Sequence, residues 1–281
     1  MTAPLDLGLP PEVGTGDGER RGASIAKTVA LQVGMLAAVL GLWEALTASE
    51  IIPHYLLPRA SEVLRTLWTD VVDIVTGGEM WTHFYTTLIE ILLGFAFSVV
   101  IGVAIGALLA EFRPLQRATY PYVVAANATP RIAFAPLIVI WFGFDYASKV
   151  VMAAAIAVFP VIVNTMAGLA ATDRDDIRLM RSLGATRSQI LWRVRIPTAL
   201  PYLFAGFETA MLFSAVGAVI GEFMAGNAGL GYVTLLAQEL FRLDDAFSAI
   251  ALLSVQGFLL HRLVVVARRR FVFWQADTGP K

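Results

Sequence analysis

Long apolar runs alternate with short polar stretches along most of this chain. Six of the runs are long enough, at about 20 residues each, to cross the hydrocarbon core of a membrane as helices. They occupy approximately residues 26–48, 83–110, 118–142, 149–170, 203–224 and 246–267. Glycine and proline interrupt several runs, which a helical bundle tolerates when neighbouring helices satisfy the freed backbone groups. The pattern predicts an all-α integral membrane fold with six transmembrane helices.

The composition is that of a membrane protein rather than a soluble one. Hydrophobic residues make up 57% of the 281 residues, charged residues make up 15%, and the mean hydropathy is +0.70. Soluble chains average about 25% charged residues. The sequence contains no cysteine, which excludes disulfides, cysteine metal ligands and a thiol nucleophile.

The distribution of basic residues predicts the side of the membrane on which each loop lies. With a cytoplasmic N-terminus, the cytoplasmic segments carry fifteen of the 21 basic residues and the external segments carry four. The cytoplasmic residues are Arg20, Arg21, Lys27, Arg113, Arg117, the six arginines of residues 173–201, Arg268, Arg269, Arg270 and Lys281. The external residues are Arg59, Arg65, Lys149 and Arg242. Because such an excess is typical of cytoplasmic loops, both termini are predicted to be cytoplasmic.

The same pattern divides the chain into three segments. Residues 1–24 are rich in proline, glycine and acids and are predicted to form a disordered cytoplasmic tail, not a signal peptide. Residues 25–275 are predicted to form a single transmembrane domain, followed by a C-terminal tail over residues 276–281. The external residues 49–82 contain the stretch LPRASEVLRTLW, which forms either a short amphipathic interfacial helix or a plain linker.

Residues 173–201 form a basic segment between the fourth and fifth predicted spans. The segment carries Arg174, Arg178, Arg181, Arg187, Arg193 and Arg195. Asp173 or Asp175 caps a first helix, Gly184 breaks it, and Pro197 and Pro201 are expected to end a second helix. An ordinary basic loop that only fixes topology explains the arginines but not this order of glycine and proline.

Polar residues in the third span are candidates for a solute pathway. Pro130 and Pro136 flank Arg131 in the sequence NATPRIAFAPLIVIWFGF. One interpretation is a broken helix that lines a pathway, with Asn127, Thr129 and Arg131 beside it, because broken helices mark many transporter sites. The alternative is a kinked helix whose arginine reaches a membrane interface.

Two later spans also contain polar residues. Asn164 and Thr165 in the fourth span are expected to make interhelical hydrogen bonds more often than to bind a ligand. Glu222, near the outer end of the fifth span, is interpreted first as an interfacial carboxylate. The sharper hypothesis makes it a partner of Arg131 or a gate in the pathway.

Motifs for catalysis and metal binding are absent from the sequence. It contains no G-x-x-x-x-G-K-[ST], H-E-x-x-H or G-x-S-x-G, and its three histidines lack metal-ligand spacing. Glu44, Glu90 and Glu208 lie in or near spans but far apart in sequence, so no carboxylate pair within the membrane is expected. The chain is therefore predicted not to be an enzyme and to hold no metal.

Several segments together resemble the permease subunits of ABC importers of the nitrate, sulfonate and taurine type. Gly184, Val194, Ile196 and Pro197 match the second half of the "EAA" loop of these permeases, whereas Arg178, Leu179 and Met180 replace its Glu-Ala-Ala half. Further similar segments are LPRASEV, HFYTTLIEILLGF, PRIAFAPLIVIWFG, FPVIVNTMAG, GLG at 229–231 and RRRFVFW. The resemblance covers about residues 53–275. It departs at Asn127, where arginine is frequent, and at His261, where an acidic residue is frequent.

The resemblance implies a permease of the bacterial inner membrane that carries a cytoplasmic coupling helix between spans four and five. Two copies, expected to be a homodimer, would form the pathway for a small solute, expected to be an organic or inorganic anion such as a sulfonate, taurine or nitrate. Separate ATPase subunits would hold ATP and Mg²⁺, since no cofactor is expected in this chain. A periplasmic or lipid-anchored binding protein would deliver the solute, and no nucleic acid is involved.

The resemblance also assigns roles to residues. The residues expected to couple to the ATPase are Leu183, Gly184, Ala185, Arg187, Ile190, Arg193 and Pro197. The residues expected to line the pathway come instead from the polar positions within the spans, and they are Asn127, Thr129, Arg131, Asn164 and Glu222. The alternative function is an ATP-independent secondary carrier or channel, which would need buried ionisable residues in several spans or an internal repeat.

Overall fold

The computed structural model describes residues 16–49, 52–53 and 56–274, and every regular element in these ranges is a helix. The all-α fold predicted from the apolar runs is therefore confirmed. The chain contains two compact units, Met1–Ser61 and Glu62–Lys281. The predicted C-terminal tail at 276–281 and the first fifteen residues of the predicted N-terminal tail lie outside the described residues.

The first unit is built on helix α1 (Gly16–Ala48), which therefore includes the last residues of the predicted tail. The indole nitrogen of Trp43 donates a hydrogen bond to the carbonyl oxygen of Pro58 at 3.0 Å. The carboxylate of Glu44 accepts from the backbone nitrogen and the hydroxyl of Ser61 at 3.0 and 2.9 Å. Leu31 is 74% exposed, which suits a helix surrounded by lipid or a partner.

Apart from Ala60 and Ser61 at the start of α2, the second unit contains the remaining helices of the described ranges. In chain order they are α2 (Ala60–Thr76), α3 (Glu79–Glu111), α4 (Arg113–Ala128), α5 (Ala135–Phe142), α6 (Tyr146–Ala170), α7 (Arg174–Ser182), α8 (Arg187–Ile190), α9 (Ile196–Ala225), α10 (Leu230–Glu239) and α11 (Leu243–Phe271). A 3-10 turn (Arg131–Phe134) precedes α5, and a π-helical turn (Leu191–Arg195) joins α8 to α9.

Five of the six predicted spans are continuous helices. The segments long and apolar enough to cross a membrane are Lys27–Ala48, Glu79–Glu111, Tyr146–Ala170, Arg187–Ala225 and Leu243–Phe271. The third predicted run, residues 118–142, is not one helix but is divided among α4, the 3-10 turn and α5. Pro130 explains the break, because proline removes a backbone donor and disfavours helical geometry in the residue before it.

Helix α6 lies between α3 and α9, and glycines allow the backbones to approach closely. A Cβ atom at Gly102 would lie 2.6 Å from the Cβ of Val161, and one at Gly106 would lie 2.6 Å from the Cβ of Thr165. A Cβ at Gly217 would lie 2.6 Å from a backbone atom of α6. Gly102 and Gly106 form a G-x-x-x-G pair in α3, and this pair allows the close approach of α6.

Helices α3 and α6 run in the same direction. Gly94, at the middle of α3, lies against Ala153 in the first half of α6, and Gly106 lies against Thr165 near the ends of both helices. The chain must therefore return from the end of α3 to the beginning of α6, and residues 112–145 make this return. The broken third run thus carries the chain back across the bundle even though it is not a single helix.

Helix α2 settles the two alternatives for the LPRASEVLRTLW stretch in favour of a helix. Trp68 on this helix is 70% exposed. The hydroxyl of Thr66 donates to Asp244 at 3.2 Å, and the hydroxyl of Ser248 donates to Asp70 at 2.5 Å, so α2 is attached to the beginning of α11. Burial raises the pKa of the Asp70 carboxyl above its ordinary value.

The prediction that Pro197 and Pro201 end the second helix of the basic segment is wrong. The helical path continues from α8 through the π-helical turn Leu191–Arg195 into α9 and passes both prolines. The wider turn makes room for the ring of half-buried Pro197, whose clash with a preceding carbonyl would otherwise break the helix. The hydroxyl of Thr198 donates to the carbonyl oxygen of Val194 at 2.8 Å, which adds a side-chain hydrogen bond where the backbone hydrogen-bond pattern of the helix changes.

Replacing Gly217 with alanine is expected to destabilise the protein by about 1–3 kcal/mol, because the added methyl group overpacks the α6–α9 contact. The matched control is Gly41→Ala in α1, where a Cβ would have no described atom within 4 Å. The thermal midpoint of the detergent-solubilised protein should fall for Gly217→Ala only. Equal midpoints for the two variants would contradict the close packing.

Candidate functional site

The basic segment folds as a helix, a glycine turn and a second helix, as the sequence predicts. A side-chain oxygen of Asp173 accepts a hydrogen bond from the backbone nitrogen of Asp175 at 2.9 Å and caps α7. Gly184 has a φ of +77°, which favours glycine, and it ends the first helix. Thr186 and Gln189 form a reciprocal capping box at the start of α8, with distances of 3.3 and 2.8 Å.

The residues expected to couple to an ATPase are not equally accessible. Leu183 is 73% exposed, and Arg187 and Arg193 are also exposed. Ala185 is half-buried. Ile190 is only 5% exposed, so its side chain attaches α8 to the subunit from inside and is not presented to a partner. The contacts of the exposed residues with an ATPase stay a prediction.

Arg131 begins the 3-10 turn in the broken third segment. Its guanidinium donates a hydrogen bond to the carbonyl oxygen of Ile156 in α6 at 3.1 Å. The centre of the guanidinium lies 4.5 Å from the ring centroid of Phe159, also in α6, a distance typical of a cation–π interaction. Arg131 is half-buried and therefore binds the broken segment to the central helix of the unit.

The other predicted pathway residues lie in different surroundings. Thr129 is exposed at the end of α4 and donates its hydroxyl to the carbonyl oxygen of Ala125 at 3.0 Å. The side chain of Asn127 lies outside the described residues. Asn164 donates to the carbonyl oxygen of Pro160 at 2.8 Å, so its hydrogen bond stays within α6 and the expected interhelical bond is wrong.

An open cavity of about 380 Å³ lies between the broken segment and α6. Its lining consists of Thr129, Arg131, Phe134, Ile138, Trp141, Phe142, Val151, Ala155 and Phe159. Beside the cavity, Ile140 is 75% exposed and Trp141 is 69% exposed. The wall is apolar and aromatic, with one arginine as its only cationic member.

Glu222 is fully buried, so its interpretation as an interfacial carboxylate is wrong. One carboxylate oxygen accepts a hydrogen bond from the hydroxyl of Thr87 at 2.6 Å, and the other accepts from the backbone nitrogen of Gly231 at 2.5 Å. A Cβ atom at Gly229 would lie 2.2 Å from this carboxylate. The glycine-rich stretch before α10 therefore wraps around Glu222.

Glu90 and Lys149 form a second buried polar contact beside Glu222. The ammonium of Lys149 lies 3.6 Å from the carboxylate of Glu90, and these side chains are 1% and 0% exposed. Lys149 also donates to the side chain of Asn227 at 3.5 Å. We call the buried residues Glu90, Lys149 and Glu222 the buried triad. They come from the three central helices α3, α6 and α9, respectively.

The buried triad corrects two predictions. The sequence predicts no carboxylate pair within the spans, yet the fold places the carboxyl groups of Glu90 and Glu222 beside each other, with Lys149 paired to Glu90. Lys149 was counted among the external basic residues, yet it lies inside the bundle. The available signal was one ionisable residue in each of three apolar runs, since such residues usually face the interior and pair with one another. No group of three metal-ligating side chains occurs in the described ranges.

A second cavity of about 380 Å³ lies at the end of the unit where α3 begins, and it is rich in acidic groups. Its lining includes Asp70, Asp73, Glu79, Asp245, His83 and Arg242. The ring nitrogen Nδ1 of His83 accepts a hydrogen bond from the backbone nitrogen of Gly229 at 3.1 Å. This cavity thus adjoins the loop that wraps around Glu222.

Residues 98–272 match the family described as "Binding-protein-dependent transport system inner membrane component". The riboflavin transport system permease protein RibX of Chloroflexus aurantiacus is 35% identical, covering 86% of this chain and 89% of that protein. The formylaminopyrimidine transport permease protein ThiX of Halalkalibacterium halodurans is 35% identical over 78% of this chain and 85% of that protein. The taurine transport system permease protein TauC of Escherichia coli is 28% identical over 90% of this chain and 92% of that protein.

A solved structure shows the same fold at lower sequence identity. An inward-facing form of the MetNI methionine ABC transporter is similar with a TM-score of 0.60 and 20% identity. The similarity covers 68% of this chain and 97% of that one.

Replacing Lys149 with methionine is expected to cost about 3–5 kcal/mol, because it leaves buried carboxyl groups without their cation. Glu90→Gln added to Lys149→Met should recover a large part of this loss, since the double variant removes the uncompensated charge. The measurement is the thermal midpoint in detergent. The control is Lys27→Met, which removes an exposed lysine of α1. A wild-type midpoint for Lys149→Met would refute the structural role of the triad.

Proposed function

Because the chain belongs to the family of binding-protein-dependent transport system inner membrane components, we propose that it is the permease subunit of an ATP-driven importer. Two copies form the solute pathway, and a separate ATPase subunit binds each copy. The observation that carries this proposal is the exposed α7–α8 segment between two spans, with its capped helices and its glycine turn.

The helical path from α8 into α9 suits mechanical coupling. A partner bound to Leu183 and Arg187 would pull on α8, and no loop separates α8 from the span α9. Closure of the ATPase dimer on ATP would then move α9 together with the helices packed on it. The pathway alternates between two states whose populations ATP binding shifts.

The proposed arrangement in the membrane follows from the charges at the two ends of the second unit. The α7–α8 segment and Arg268, Arg269 and Arg270 of α11 are basic, which favours a cytoplasmic position for that end and cytoplasmic termini. The acid-rich cavity lies at the opposite end and offers a surface for a binding protein with basic contacts. The exposed apolar residues Ile140 and Trp141 of α5 would pack against the second permease copy.

The proposed solute is a small organic molecule with an aromatic or apolar part. The cavity beside Arg131 is lined by aromatic side chains, and Arg131 adds a cation that favours a carboxylate or sulfonate group. Two relatives at 35% identity are named for riboflavin and formylaminopyrimidine, and one at 28% is named for taurine. Sulfonates, taurine and nitrate are therefore one group of candidates among several.

The buried triad is the one observation that favours the alternative, an ATP-independent carrier, because buried ionisable residues in several spans are typical of such proteins. Glu90, Lys149 and Glu222 are each at most 1% exposed, however, and Glu222 is bound by groups of its own subunit. The importer is therefore the better supported function.

Replacing Gly184 with valine is expected to lower retention of the ATPase subunit about tenfold, because a β-branched residue at positive φ costs more than about 1 kcal/mol. A side chain at this exposed position meets no described atom within 4 Å, so the permease itself should stay folded. The experiment is a pull-down from native membranes with mass spectrometry of the bound proteins. Gly34→Val in α1 is the control. Full retention by Gly184→Val would count against coupling through this turn.

Replacing Arg131 with glutamine is expected to reduce uptake of an anionic solute at least about tenfold and uptake of a neutral one much less, because one charge-assisted contact is lost. Uptake of a labelled alkanesulfonate, as the anion, and of labelled riboflavin, as the neutral solute, into vesicles compares the two classes. Arg65→Gln, at an exposed position of α2, serves as the control. Unchanged uptake of every transported anion would exclude Arg131 from solute recognition.

A further inference from the structure

A large basic cavity lies at the end of the second unit where α3 and α6 end. Its volume is about 770 Å³, and it lies between the α3–α4 turn, the end of α6 and helix α7. The lining residues are Ala110, Glu111, Phe112, Pro114, Gln116, Arg117, Leu169, Ala170, Thr172, Arg174, Ile177, Arg181 and Arg195. Neither the proposed solute pathway nor the proposed ATPase contacts use this cavity.

Four arginines and one carboxylate line the cavity. Glu111 is bound by Arg195, whose guanidinium lies 2.5 Å from its carboxylate. Arg117, Arg174 and Arg181 have no carboxylate within 4 Å among the described side chains. The cavity therefore has a net positive charge that its own walls do not neutralise.

Helix α7 presents different faces to the cavity and to the outside. Arg174, Ile177 and Arg181 recur at intervals of three and four residues, so they share the face that lines the cavity. Leu179 lies on the opposite face and is 59% exposed. The face of α7 that carries Leu179 is thus accessible to an ATPase, while the opposite face lines the cavity.

Thr172 gives a second and independent sign of a ligand. The residue is 8% exposed, and its hydroxyl is buried without a hydrogen-bond partner among the described groups. A buried hydroxyl without a partner is unfavourable unless something binds it. Thr172 lines the same cavity as the three arginines, so an anionic oxygen held there would accept its hydrogen bond.

We propose that this cavity binds a phosphate-bearing anion, with Arg174 and Arg181 of α7 and Arg117 of α4 as its cationic contacts and the Thr172 hydroxyl as a donor. Guanidinium groups bind phosphate oxygens through paired, charge-assisted hydrogen bonds. The same chemistry is offered by the headgroup of an anionic phospholipid and by a free phosphate compound. Bound between α7 and the ends of α3 and α6, the anion would fix the orientation of the α7–α8 segment.

The experiment uses the full-length protein in nanodiscs of phosphatidylcholine. Phosphatidylglycerol is added to the disc in one arm, and pyrophosphate is added to the solution in the other. The thermal midpoint and native mass spectrometry report binding. A rise with phosphatidylglycerol alone identifies the lipid headgroup as the ligand, whereas a rise with pyrophosphate identifies a free phosphate compound. If neither probe raises the midpoint or is retained, the proposal is wrong.

The variant Arg174→Gln/Arg181→Gln should weaken binding of the active probe by about a hundredfold, since two charge-assisted contacts are lost. The matched control is Arg187→Gln/Arg193→Gln, which removes two arginines of the same segment outside the cavity and should bind as the wild type does. Equal weakening in both variants would mean nonspecific attraction by a basic surface, and the proposed site would be rejected.

Thr172→Val separates ligand binding from a structural role. Without the probe, the variant should be as stable as the wild type or more stable, because it removes an unsatisfied buried hydroxyl. With the probe, its affinity should fall about tenfold. Unchanged affinity would remove Thr172 from the site, and with it the observation that distinguishes this cavity from an ordinary basic surface.

Discussion

The stability of the second unit depends on the pairing of buried charged side chains between its central helices α3, α6 and α9. Lys149 of α6 lies against Glu90 of α3, and Glu222 of α9 is held by Thr87 and by the backbone of Gly231. Separating these helices would expose each charge to an environment without its partner, which is strongly unfavourable. Glycine contacts on both sides of α6 add close packing to this electrostatic constraint. We therefore infer that α3, α6 and α9 move as one body.

If α3, α6 and α9 move as one body, the segments that move relative to this body lie around it. The α7–α8 segment extends directly into α9, so a force on the segment reaches the central body without a flexible link. The broken segment packs on α6 through Arg131 and leaves an aromatic cavity open, and we propose that a second copy closes it. Basic groups gather at the end that carries α7 and acidic groups at the opposite end. This polarity suits a permease that meets an ATPase on one side and a binding protein on the other.

The elements that hydropathy and local signals control could be predicted from the sequence. Helices form wherever an apolar run must satisfy its backbone groups internally, and the capped turn around Gly184 depends only on neighbouring residues. The buried triad could not be predicted, because its members are distant in sequence and meet only through the packing of three helices. The continuation of the helix past Pro197 could not be predicted either, because it depends on a π-helical turn for which the sequence contains no recognisable motif. Arg131 stands out in the sequence as a charge within an apolar run, but its hydrogen bond to Ile156 of α6 joins residues distant in the chain and depends on how the two segments pack.

We propose that this chain moves solute only when an ATPase acts on it. The most direct test is uptake of labelled solutes into vesicles that contain the purified permease with or without its ATPase, with the binding protein present on the external side. We expect uptake only when the ATPase and ATP are both present, and none with a nonhydrolysable ATP analogue. Uptake by the permease alone, driven by an ion gradient and independent of ATP, would contradict the account and establish a secondary carrier.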